Sequence, residues 1–105
     1  MPTQQQIERF TLVFHQEALK RIAGDPGLRQ QALQVLNRWE ANGVTRSGQS
    51  YRDEWRALLV KDADTMAKAL CSEVEHAATL RSMSPLGFVM NEEEKANLRR
   101  EAMRA

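Results

Sequence analysis

Apolar residues in this chain recur every three or four positions. They do so in blocks that open on a capping residue and close on glycine, Asn-Gly or proline. A helix turns once in 3.6 residues, so such blocks each place one apolar stripe on one face. No segment alternates as a half-buried strand would. Thr3 and Gln6 form a capping box, and Ile7, Phe10, Phe14, Ala18 and Ile22 follow at helical spacing as far as Gly24. The spacing predicts a first helix over 4–23, closed by Gly24 in the left-handed conformation. Asp25-Pro26 then reads as a cap and first helical residue. Leu28, Ala32, Val35, Leu36 and Trp39 make the second stripe, ended by Asn42-Gly43.

Residues 43–49 read as the most loop-like stretch. Ser50 with Asp53 is a cap for a short third helix over 51–60, carrying Tyr51, Trp55, Leu58 and Leu59. Asp62 or Asp64 caps a fourth, whose stripe is Met66, Leu70, Val74 and Ala77 and which Ser84-Pro85 ends. Asn91 with Glu94 caps a fifth over 92–104, acidic at its start and basic towards its end, as the helix dipole favours. The expected fold is all-α, an orthogonal array or irregular bundle of about five helices forming one domain over 1–105. The expected core includes Phe10, Phe14, Ile22, Leu36, Trp39, Trp55, Leu59, Leu70 and Val74. Trp39, Tyr51 and Trp55 are expected to pin the loop junction, with their polar atoms reaching backbone carbonyls.

Composition narrows function by exclusion. With 15 Lys and Arg against 14 Asp and Glu, the net charge of +1 creates no whole-protein field towards nucleic acid or membrane. No apolar run reaches the roughly 18–20 residues of a membrane span. Met1 to Gln6 is polar and uncharged, unlike a signal peptide, so a cytoplasmic protein is expected. The single cysteine excludes an internal disulfide and a four-thiolate zinc site. Phosphate loop, nucleophile elbow and zinc spacing are all missing from the sequence, and no enzyme, metal or cofactor is expected. Cys71 and His76, five apart, cannot meet within one helix as an activated nucleophile requires.

Three binding readings remain. The segment 83–90 carries Met83, Leu86, Phe88, Val89 and Met90. It either completes the core or faces a protein partner, for which flexible methionines suit adaptable contacts. The fifth helix has a thin apolar face of Leu98, Ala102 and Met103. It is expected to be the least stable element, frayed or docked on a partner, unless its cap and charges hold it as a solvated extension. The partner set is therefore Met83, Leu86, Phe88, Val89, Met90, Leu98 and Met103. The alternative is DNA binding by a helix–turn–helix from the second and third helices, with Arg46, Arg52 and Arg56 contacting phosphates or guanine edges. The loop is long for that motif, and Asp53 and Glu54 oppose phosphate. A remote alternative is a dimeric di-iron carboxylate protein built on Glu73 and His76, three apart, with Glu17 or Glu8 adding a ligand.

Trp39, Gly43 and the run Ser50 to Leu59, followed by Leu80-Arg81-Ser82-Met83-Ser84-Pro85-Leu86, resemble a group of small proteobacterial proteins. These pair a Tyr-x-x-Glu-Trp-x-x-Leu-Leu helix with a later Leu-Arg-x-x-Ser-Pro segment. The group looks like accessory proteins of mobile elements, including antitoxin-like partners of toxins. The resemblance implies a cytosolic interaction protein, binding a toxin or a larger subunit, and carries over no catalytic residue.

Overall fold

The helix signals become six α-helices and one 3-10 turn in the computed structural model, which describes residues 3–42 and 48–104. The helices are α1 (Gln4–Gly24), α2 (Gly27–Ala41), α3 (Gln49–Leu59), α4 (Ala63–Leu70), α5 (Glu75–Ser82) and α6 (Glu92–Arg104). A 3-10 turn spans Gly87–Val89 between the last two. No strand occurs among the described residues. The fold is all-α, an irregular bundle.

Local chemistry explains most boundaries. The Thr3 hydroxyl accepts from the Gln6 amide while the Gln6 side chain accepts from the Thr3 amide, closing the capping box. Asn91 and Glu94 repeat that exchange at the start of α6. Asp25 accepts from the Gly27 amide, and Asp62 from the Thr65 amide at 2.8 Å. Hydrogen bonds from the Thr65 side chain and then from its backbone amide hold the Asp62 carboxyl below its usual range.

Two cap assignments move. Gly24 ends α1 without a left-handed residue, the Asp25 amide donating to the Ile22 carbonyl. The cap of α3 is Gly48 rather than Ser50, at φ 86°. A β-carbon there would fall 2.6 Å from the Met83 methyl, so glycine serves both the left-handed turn and the approach of Met83.

The largest correction is in the expected fourth helix. It is two helices, broken at residues 71–74, where Val74 adopts extended backbone and stands 61% exposed. An unbroken helix over 63–82 would run about 30 Å. That is most of the longest dimension of a molecule measuring 38 × 31 × 26 Å. The break lets α5 turn back, and buried Arg81 on α5 supplies donors for the carbonyls that α4 leaves open.

Helix α1 is the axis: α2, α4, α5 and α6 all pack against it, α2 also meets α3, and α4 touches α3 and α5. The core gathers Phe14, Ala18, Leu19 and Ile22 of α1 with Ala32 and Leu36 of α2 and Trp55, Leu58 and Leu59 of α3. Met66, Leu70, Leu80, Leu86 and Met90 complete it. Phe10 and Trp39, expected inside, are only partly buried against this cluster. α6 lies along α1, with Ala102 buried, Leu98 packed on the core and the Arg99 guanidinium 4.8 Å from the centre of the Phe10 ring.

Candidate functional site

The seven side chains expected to form a partner surface divide between interior and surface. Leu86 is fully buried and Met90 nearly so, and both belong to the core. These two are withdrawn from any accessible surface. Between them the 3-10 turn exposes Phe88 at 38%, while Val89 and Leu98 are half-buried. Met83 is half-buried and turns towards Gly48, at the start of α3. Met103 is 46% exposed on the last turn of α6. One continuous patch of the seven is therefore not formed.

The arginines of the DNA reading are placed differently again. Arg46 lies outside the described residues. Arg52 is buried, its guanidinium donating to the Gln49 side chain at 2.8 Å. Arg56 pairs with Glu40, donates to the Asn37 side-chain oxygen and stands 3.8 Å from Asp53. Helix α3 turns Arg52, Trp55, Leu58 and Leu59 inward and so works as a core helix. Arg52 and Arg56 are taken up in folding rather than presented to phosphates.

The Glu73–His76 pair is also undone by the break between α4 and α5. Glu73 lies in the irregular link and His76 on α5. The His76 Nε2–H donates instead to the Glu54 carboxylate, with oxygens at 2.8 and 2.9 Å, and its ring stands 5.7 Å from Tyr51. Among the described residues no group of three or more His, Cys, Asp or Glu side chains could hold a metal ion. Cys71 is half-buried, and burial pushes its thiol pKa up, which disfavours the reactive thiolate.

Behind these surfaces lies a buried polar junction that the sequence reading missed in part. The Trp55 indole N–H donates to the Leu80 carbonyl at 2.9 Å. This is the backbone contact expected of that tryptophan, and it ties α3 to α5. One residue on, the Arg81 Nη1 donates to the Leu70 and Ser72 carbonyls at 2.7 and 3.0 Å, and its Nε lies 3.4 Å from the Thr11 hydroxyl. The arginine thereby replaces the amides that a continuing helix would have offered. His15 sits against this junction, its ring 6.1 Å from Trp55 and 5.2 Å from Phe14. It is buried, with Nδ1 2.7 Å from the Thr11 carbonyl, so the proton resides on Nδ1. Burial lowers its pKa to about 4, with nearby Arg81 adding to the shift against the opposing Thr11 hydrogen bond.

Two concavities flank α1 on the α5–α6 side. The larger, about 720 Å³, is an open groove with Leu12, Val13, Ala78 and Ala102 among its lining and Glu8, Arg9 and Glu73 around them. Ile7, 44% exposed, and Met103 each neighbour a lining residue of this groove in the sequence. The smaller, about 230 Å³, is a cleft between α1, the turn after α5 and α6. Phe10, Phe14 and His15 form its α1 wall, Arg81 and Ser84 close it behind, and Lys95 and Arg99 stand on α6. Among the described residues lining it none is acidic. The sequence signal for this cleft is the i, i+4 spacing of Lys95 and Arg99.

The Trp55 hydrogen bond joins the 50–59 segment to the 80–86 segment. No helix among the described residues is long and apolar enough to cross a membrane. Comparison of the chain with family models, curated proteins and solved structures finds no match.

Proposed function

We propose that this chain is a non-enzymatic interaction module that binds another protein, as an antitoxin or a small regulatory subunit does. The observation that carries this reading is the open groove between α1, α5 and α6, where Leu12, Val13, Ala78 and Ala102 come together. A groove lined by Leu12, Val13, Ala78 and Ala102 together with Glu8, Arg9, Glu73 and Arg81 suits an amphipathic segment of a partner that brings both apolar and charged side chains. None of the seven side chains chosen from sequence lines this groove; exposed Met103 follows its lining residue Ala102 in the sequence. Phe88, on the turn before α6, is a second and separate exposed anchor.

The test is co-expression with the product of each neighbouring gene, followed by measurement of the dissociation constant. A stoichiometric complex is expected with one of them. Val13→Asp and Arg9→Glu, both in the groove lining, are expected to weaken it about 30-fold or more, the scale of an interface hot spot. Failure of both neighbouring products to bind, or binding unchanged by both substitutions, overturns the proposal. Leu86→Asp is unsuitable as a probe, because a carboxylate at that buried position would unfold the chain.

A further inference from the structure

The cleft beside Phe10 collects charge that the fold leaves poorly answered. Lys95 has a side chain only 19% exposed, and its nearest carboxylate, Glu92, is 3.5 Å away on a side chain 86% exposed. Such a pair contributes little, while partial desolvation of the ammonium costs free energy. Its Nζ lies over the turn, 3.9 Å from where a β-carbon on Gly87 would be. Arg99, four residues on, holds its guanidinium over the Phe10 ring. Arg81 closes the back, its orientation set by the Leu70 and Ser72 carbonyls. Of the two other acidic groups in the first turn of α6, Glu94 is engaged by Arg21 and Glu93 is exposed and outside the cleft lining. Three cations thus converge on about 230 Å³ in a protein whose net charge is +1.

We propose that this cleft is a binding site for a small oxyanion, a phosphate or carboxylate group, held by Lys95 and Arg99 with Arg81 as a fixed charge behind them. Lys95 and Arg99 line the cleft from α6, and Ser84 adds a hydroxyl to its lining. The Leu86 amide already donates to that hydroxyl's oxygen, leaving its proton to be given to the ligand. The Phe10 and Phe14 rings limit water on the α1 side, which strengthens charge-assisted hydrogen bonds. The cleft adjoins the groove at Arg81, which lines both, while Lys95, Arg99 and Ser84 line the cleft alone.

The test is an amide and histidine-ring NMR titration of the full chain with inorganic phosphate and, separately, with acetate, at constant ionic strength. Saturable shifts are expected at Gly87, Lys95, Arg99 and His15. The tighter of the two anions identifies the tetrahedral or planar group. Lys95→Gln and Arg99→Gln are each expected to weaken binding about tenfold or more, as loss of a charge-assisted contact should. Arg100→Gln removes the same charge from the same helix, at a residue paired with Asn97 outside the cleft, and is expected to change binding less than about twofold. Absence of saturation by both anions in the unsubstituted protein overturns the proposal. So does an Arg100→Gln loss equal to that of Lys95→Gln.

Discussion

The junction around Trp55 and Arg81 and the face between α1 and α6 both join helices far apart in sequence, but by different physics. At the junction, buried side chains donate to backbone carbonyls that water cannot reach. An unmet acceptor there would bear its full desolvation cost. At the α1–α6 face, Arg21 meets Glu94 and the Val89 carbonyl, and Arg99 covers Phe10, with much of each ion pair in solvent. Those contacts are screened and individually weak. The comparison teaches that buried charge in this chain is fixed by backbone carbonyls, whereas charge at the α1–α6 face is held by partly exposed contacts.

The sharpest break should come at Trp55. Trp55→Ala is expected to destabilise the fold by about 3–5 kcal/mol, as loss of a fully buried aromatic ring does. Trp55→Phe keeps most of the ring and isolates the Leu80 hydrogen bond, at about 1 kcal/mol. Denaturant midpoints would measure both, and a Trp55→Ala effect no larger than that of a surface substitution would remove Trp55 from the junction. Arg81→Met is expected to cost about 3 kcal/mol, because it strands the Leu70 and Ser72 acceptors. Amide exchange should then accelerate first at the end of α4 and in α5, before α6.

His15 joins the comparison through pH. Its folded pKa of about 4 lies below the ordinary 6.5, so the unfolded chain binds the proton more readily. Its contribution to stability is complete above pH 6.5 and falls by about 3 kcal/mol as pH drops to 4. Urea midpoints at intermediate pH should show this slope, and His15→Gln should flatten it. Glu94 acts lower on the scale. The Arg21 guanidinium, followed by the Asn91 cap, holds its carboxyl below its ordinary 4.5. Its contribution is therefore present above that value and is lost as pH falls through the lowered one. Glu94→Gln should reduce only that acidic limb of the curve. The smallest effect is expected at Met103→Ala, within about 0.5 kcal/mol in the free protein, as at other exposed positions.

Much of this architecture is legible in the residue order. The Thr3–Gln6 and Asn91–Glu94 boxes and the Asp25 and Asp62 caps are local chemistry, settled by side chains three residues or fewer from the amides they meet. The stripes of α1, α2 and α3 likewise follow from spacing alone, which is why an all-α chain could be expected without contacts. The break at 71–74 could not, because Arg81, the group that satisfies the ends of α4, arrives only when α5 has folded back. Nor could spacing decide that Leu86 and Met90 enter the core while Phe88 between them stays out, since that depends on how the turn meets α1 and α6. The cleft is of the same kind. Its Phe10, Arg81 and Lys95 are separated by 71 and 14 positions in the sequence, and only packing brings their side chains around one space. Local hydrogen bonds and apolar period determined where helices form. Burial and the need to satisfy every buried carbonyl decided where they break and which charges they leave facing a cleft.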